Sequence, residues 1–171
     1  MGLTFDTAGS RVVVRTFAEG MLSRLAHDLE IEAGGAEGHV DDAGRAKVRF
    51  PVARLRVRGV VRSAKVDAQA LSASDRADIE RRIAEAFEGV MHVEVEGELA
   101  GDRAKLRVTC GRRAQELEVP ASVERGEGGR VRVKGKAKLS HKSLGLTPVR
   151  GPLGAFRVAD GVEVTFDVVF V

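Results

Sequence analysis

From Arg130 to Leu139 the chain alternates without a break. Val131, Val133, Gly135, Ala137 and Leu139 fall on one side; Arg130, Arg132, Lys134, Lys136 and Lys138 fall on the other. Successive side chains of a strand point to opposite faces, so this pattern predicts a strand with one buried and one wet face. The same period recurs in three other stretches. His92–Leu99 sets Val93, Val95, Gly97 and Leu99 against Glu94, Glu96 and Glu98; Arg103–Cys110 buries Leu106, Val108 and Cys110; Val162–Phe170 buries Val162, Val164, Phe166, Val168 and Phe170. Further strands are expected at Arg11–Phe17, Asp28–Ala33, Glu37–Asp41, Ala46–Phe50 and Arg54–Val60. Turn residues separate them at Gly34-Gly35, Asp42-Ala43-Gly44, Gly101-Asp102, Gly111-Arg112, Gly126–Gly129 and Asp160-Gly161.

One stretch breaks the period. Ile79, Ile83 and Phe87 recur every four residues, which predicts one helix over about 74–88. Ser72 or Ser74 can cap it, Asp75 and Asp78 suit its positive end, and Gly89 stops it. Asp78–Arg82 and Arg81–Glu85 are expected as supporting pairs.

About eight antiparallel strands must hide their edges, and closure into a barrel does so. The fold expected is therefore all-β: a lipocalin-like, antiparallel, up-and-down β-barrel of about eight strands with one helix. A two-sheet sandwich satisfies the same pattern. No linker or repeat divides the 171 residues, so one domain over 1–171 is expected.

Composition limits the function classes. Lys and Arg number 28 against 25 Asp and Glu, interspersed rather than clustered, which reads as a solvated surface. Single-stranded nucleic acid needs aromatics beside such a stripe, and none interleaves here, so no nucleic-acid partner is expected. Cross-strand ion pairing with Glu116, Glu118 and the glutamates of 94–98 is the simpler role for the basic stripe. A single Cys110 leaves no disulfide framework or cysteine-rich zinc site, and its inward position reads as a small buried hydrophobe. No apolar run spans a membrane. The first residues lack a basic and apolar leader, so a cytoplasmic location is expected.

Five stretches taken in order resemble the YceI-like family of lipid- and polyisoprenoid-binding barrels. They are Gly20–Asp28 with its His27-Asp28 pair; Val48-Arg49-Phe50 with Ala53–Val57; Leu71–Ile79; Leu106–Arg113 with Leu117–Pro120; and His141–Gly145 with Asp160–Val164. Together they run from about Arg11 to Val171. The resemblance implies a lipocalin-like barrel, an elongated apolar ligand and a possible homodimer.

Candidate ligand-lining residues are the inward ones: Val14, Leu29, Phe50, Leu55, Val57, Val95, Leu106, Val108, Val133, Leu139, Val164, Phe166 and Phe170, with Phe87 from the helix and His27 at a barrel mouth. No catalytic residue, metal site or cofactor is assigned. His39, His92 and His141 share no metal-ligand spacing. His141 with Ser140 and Ser143 lacks a nucleophile elbow and reads as surface loop. The glycines of Gly151–Gly154 and Gly126–Gly129 lack the Lys-Ser/Thr of a phosphate loop. The chain has no Trp and no Tyr. An interior cavity would lack indole N–H and phenol O–H groups, which suits flexible aliphatic cargo better than a sugar or nucleobase. Three readings follow: a non-enzymatic carrier of an apolar molecule, a structural or stress-related barrel filled by its own side chains, or a small hydrolase or isomerase using His27.

Overall fold

The computed structural model describes residues 2–20, 26–150 and 156–171. The part of the first resemblance motif at 21–25 and the glycine stretch at 151–154 lie outside the described residues. The strands are β1 (Leu3–Thr4), β2 (Arg11–Thr16), β3 (Ala18–Glu19), β4 (Leu29–Ala33), β5 (Glu37–Val40), β6 (Arg45–Pro51), β7 (Leu55–Arg62), β8 (Lys65–Asp67), β9 (His92–Ala100), β10 (Arg103–Cys110), β11 (Arg113–Arg125), β12 (Val131–Ser140), β13 (Arg157–Val158) and β14 (Gly161–Phe170). One helix, α1 (Ala73–Ala86), lies between β8 and β9.

Twelve strands form one antiparallel sheet in the order β1-β5-β6-β9-β10-β11-β12-β14-β2-β4-β7-β8. The sheet is curled in the lipocalin-like manner expected, but with more strands than eight. Two causes raise the number. Strands β1, β3, β8 and β13 are too short to show alternation. The other cause is a corner. The chain turns at Gly34–Ala36 and again at Val52–Arg54, where a 3-10 turn follows Pro51. These corners cut one long hairpin into β4–β5 and β7–β6. Its upper half joins the sheet through β6 to β9, and its lower half through β4 to β2. Counted as bent pairs, the long strands make eight ribs: β2, β4–β5, β6–β7, β9, β10, β11, β12 and β14.

The remaining gaps are stitched by short segments. Thr4 N–H donates to the Val171 carbonyl at 2.7 Å, Val171 N–H returns to Thr4 at 2.9 Å, and Phe5 N–H donates to Gly38 at 2.9 Å. The first strand thereby ties β5 to the end of β14. Phe5 fills the seam edge-on to Phe170 and Phe50, with centroids 5.5 and 6.5 Å apart.

Between β7 and β9 the gap is spanned by α1. Ser72 caps this helix: its hydroxyl accepts from Asp75 N–H at 3.0 Å, and its own N–H donates to the Asp75 carboxylate at 2.9 Å. That reciprocal pair satisfies two orphan donors. The edge of β7 beyond the reach of β8 would otherwise lie open. Glu80 accepts from Val57 N–H at 3.0 Å, and Arg76 donates to the Val57 and Arg58 carbonyls at 2.9 and 3.1 Å and to the Ala68 carbonyl. Two side chains one helical turn apart thus act as a neighbouring strand. Arg76→Ala leaves these carbonyls without a charged donor and is expected to cost about 2 kcal/mol. Thermal melts check the cost.

The outer wall carries a regular code. Outward charges on β2 are Arg11 and Arg15; on β4–β5, Glu30, Glu32 and Glu37; on β6–β7, Arg45, Lys47, Arg49, Arg56, Arg58 and Arg62. They continue as Glu94, Glu96 and Glu98 on β9; Arg103, Lys105 and Arg107 on β10; Glu116, Glu118 and Glu124 on β11; Arg132, Lys134, Lys136 and Lys138 on β12; and Glu163 and Asp167 on β14. Sign alternates from rib to rib around the ring. An alternating ring closes without a like-signed seam only when its ribs are even in number, and eight satisfies this. Ion pairs cross most seams: Arg15–Glu30 at 3.1 Å, Arg58–Glu32, Arg49–Glu37 at 3.2 Å, Lys47–Glu96 at 3.2 Å, Arg107–Glu116 at 2.6 Å, Lys134–Glu124 at 2.9 Å and Arg132–Asp167 at 2.6 Å. At the other two, Glu96 faces Arg107 and Glu98 faces Lys105, while Glu163 faces Arg15 and Asp167 faces Arg11.

Arg132 and Lys134 of the basic stripe are therefore ion-paired, but not to the glutamates expected. Strand β11 pairs with β10 up to Pro120 and with β12 only from Ala121 onward. Proline has no N–H for a ladder, and the strand changes neighbour there. Glu116 and Glu118 consequently serve Arg107 and Arg103 of β10. Gln115 bridges the opened stretch, accepting from Ser140 N–H at 2.9 Å and donating to the Lys138 carbonyl at 3.3 Å.

Candidate functional site: an apolar cavity inside the barrel

The inward faces do not close on one another. They enclose a cavity of about 1000 Å3 that runs from the Asp41–Gly44 turn to the helix. Its wall is aliphatic with a few phenylalanines. Of the sequence candidates, Val14, His27, Leu29, Phe50, Leu55, Phe87, Val95, Leu106, Val108, Val133, Leu139, Val164, Phe166 and Phe170 line it. Val57 does not. It keeps register with Ile31, but it is 4% exposed and buried at the edge that α1 covers, where its N–H donates to Glu80.

Periodicity also placed residues that were not singled out, among them Val12, Ile31, Val48, Val93 and Val131 on the same faces. Two glycines on inward faces set the bore. A Cβ at Gly135 would lie 2.5 Å from the Phe166 ring, so that ring lies flat over the glycine. A Cβ at Gly97 would lie 3.2 Å from Leu106.

The helix end of the cavity is built by irregular chain. Leu71, Leu144, Leu146, Val149 and Phe156 line it together with Ile79 and Ile83. None of these loop positions carries a period; the resemblance stretches held Leu71 and Leu144, and nothing in the sequence pointed to Leu146, Val149 or Phe156. Leu144 is 6% exposed and packs with Val108 and Cys110. Cys110 is buried as expected, and burial pushes its thiol up. Thr147 joins this loop to the helix end, its N–H donating to the Ala86 carbonyl at 3.1 Å and its hydroxyl bonding Glu88 at 2.7 Å.

His141 is not the surface residue expected. The turn after β12 folds back: Leu144 N–H donates to the Ser140 carbonyl at 3.2 Å and Leu146 N–H to the His141 carbonyl at 2.9 Å. This places His141 half-buried at the cavity. Asp160 holds the turn, accepting from Lys142 N–H at 2.8 Å and the Ser140 hydroxyl at 2.7 Å. The Ser140 oxygen is thus committed to a carboxylate, which is no nucleophile–base arrangement. In the His27-Asp28 pair, Asp28 accepts from Ala18 N–H at 3.0 Å, so its carboxylate holds the strand entry. No group of three or more His, Cys, Asp or Glu that could hold a metal occurs among the described residues.

Burial pushes His141 below its ordinary 6.5, opposed by the charge of Asp160. In the unfolded chain this ring binds a proton as pH falls through 6.5; in the native chain it stays neutral to lower pH. The unfolded state then binds more protons, so stability falls with falling pH in that window. Asp41, Asp75, Asp160 and Asp167 are held below their ordinary 3.8, so their contribution is lost only in stronger acid. The melting temperature is expected to decline as pH falls below about 6.5, and His141→Gln to remove that decline while leaving the one in stronger acid. A pH series of thermal melts on both chains checks this.

A curled antiparallel sheet, capped by one helix and hollow inside, defines a lipocalin-like barrel. Comparison with solved structures agrees. The polyisoprenoid binding domain from Saccharophagus degradans implicated in plant cell wall breakdown superposes with a TM-score of 0.68 at 9% identity, over 98% of this chain and 97% of that one. BcnA of Burkholderia cenocepacia superposes with a TM-score of 0.61 at 16% identity, over 96% of this chain and 98% of that one. The resemblance read from the sequence holds at the level of the fold. No protein-family model and no curated protein matches the sequence.

Proposed function

We propose that this protein binds an elongated apolar molecule, a polyisoprenoid or another lipid, inside the barrel and carries it without chemical change. The observation that supports this best is the cavity: about 1000 Å3, continuous and aliphatic. That lies at the upper end of the usual range for ligand sites. It also speaks against a barrel filled by its own side chains. The mechanism is exclusion of water. Burying roughly 300 Å2 of hydrocarbon contributes about 7 kcal/mol before association costs. The structural neighbour that binds polyisoprenoid supports the same class of ligand. The charged outer wall is unlike the apolar band of a membrane-spanning barrel, and it leaves the interior as the apolar surface on offer. No helix among the described residues is long and apolar enough to cross a membrane.

The test is purification from the native host, organic extraction and mass spectrometry. A lipid in stoichiometric amount is expected. A protein that arrives empty and takes up no lipid from a mixed extract overturns the reading. Turnover lost in His27→Ala would favour the enzymatic alternative instead.

A further inference from the structure

The cavity is polarised. At its far end Asp41, Asp42 and Glu98 line it, with Arg125. At the helix end the charged and titratable lining residues are His27, Arg82, His141 and Arg150, with no carboxylate among the described lining residues there.

Arg82 owes its place to the helix. Positions 79, 82, 83, 86 and 87 share one helical face, and all five line the cavity. Four are Ile79, Ile83, Ala86 and Phe87; the fifth is an arginine set into the apolar stripe. The carboxylate expected to hold it, Asp78, turns to Arg81 instead, at 3.4 Å. Arg150 is placed by a bridge between its backbone and Arg157, whose guanidinium bonds Glu19 at 2.6 Å. Neither Arg82 nor Arg150 has a carboxylate partner among the described residues, although cations cross most seams of the outer wall to a carboxylate.

We propose that the bound molecule is an amphiphile with an anionic head, a carboxylate or a phosphate, seated at Arg82 and Arg150, and a single chain running toward the Asp41–Gly44 turn. This rests on the apolar-cargo reading above. Guanidinium groups match both oxyanions in a two-pronged geometry, and both arginines are exposed at this end, open to an entering head. The helix end offers two arginines and no lining carboxylate among the described residues, whereas at the far end Asp41 already pairs with Arg45 at 3.1 Å; this sets the direction of the head. Length agrees as well. The inward residues of β12 from Val131 to Leu139 span roughly 20 Å along the barrel axis, about the reach of an extended sixteen-carbon chain.

Calorimetric titration with palmitate, hexadecyl phosphate and hexadecanol tests this, each below its aggregation threshold. At least one anion is expected to bind about tenfold or more tighter than the alcohol. Whichever anion binds tighter names the head. In Arg82→Gln/Arg150→Gln the ratio of anion to alcohol affinity is expected to fall to about one. A wild-type chain that binds the alcohol as tightly as both anions overturns the anionic head and leaves the apolar reading standing. A ratio unchanged in the double variant overturns the assignment to these arginines. Failure of all three probes to bind overturns both readings.

Discussion

Tryptophan at both Val95 and Val164 abolishes uptake of a sixteen-carbon chain and leaves the barrel folded. The two residues line the cavity from β9 and β14. Those ribs lie four apart in a ring of eight, so the two side chains face each other across the bore. In a packed core an enlarged side chain forces its neighbours off their rotamers at about 1–3 kcal/mol. Here the indoles enter existing space and take the room of the ligand. Affinity is expected to drop about a hundredfold or more, with the melting temperature near the parent's. Val119 supplies the contrast. It is buried at 7% exposure but lies outside the cavity, among Ala104 and Ala137. Val119→Trp is expected to destabilise the fold instead. Because the chain has no tryptophan of its own, each variant reports its own environment. Blue-shifted emission unaffected by added lipid fits a filled cavity. Unchanged uptake in the Val95/Val164 variant would show that the chain binds elsewhere.

The wall of this cavity was legible because period two is a direct record of burial. Residues 92–110, 130–139 and 162–170 placed their inward side chains from alternation alone, and the helix showed its stripe at Ile79, Ile83 and Phe87. What alternation could not show was where strands change partner. Pro120 lies inside an alternating stretch, yet it divides β11 between two neighbours. Val57 sits in phase with Leu55 and pairs with Ile31, yet the helix laid over that edge buries it away from the bore. The cavity mouth was the least legible part. Leu71, Leu146 and Val149 belong to segments whose shape comes from tertiary bonds such as Thr147 to Ala86 and His141 to Asp160. Arg82 was misread because an i,i+4 carboxylate was available to it; in the fold, Asp78 bonds Arg81.

Strand order had a further trace in the sequence, and reversing one rib tests it. Arg132, Lys134, Lys136 and Lys138 give β12 one sign, and both neighbours carry the other. Exchanging all four for glutamate breaks the two-pronged Arg132–Asp167 pair, with both bonds at 2.6 Å, and Lys134–Glu124 at 2.9 Å. It also sets glutamates opposite Glu163 and Asp167 in register. Exposed pairs are individually weak, but lost attraction and new repulsion add along the strand to about 3 kcal/mol. Against a net stability of roughly 5–15 kcal/mol that is a large share. Rescue should obey the parity of the ring. Glu163→Lys and Asp167→Lys repair the seam with β12 but open a like-signed seam against Arg15 and Arg11 of β2. Recovery is therefore expected to be partial, and a second reversal on β2 should move the mismatch one rib onward to Glu30. Melts at low salt measure the loss, and added salt should narrow it. A reversed β12 that melts with the parent at low salt would mean that turns and burial alone order the strands. A graded loss that follows the mismatch around the barrel would mean that the outer charges help choose each strand's neighbours.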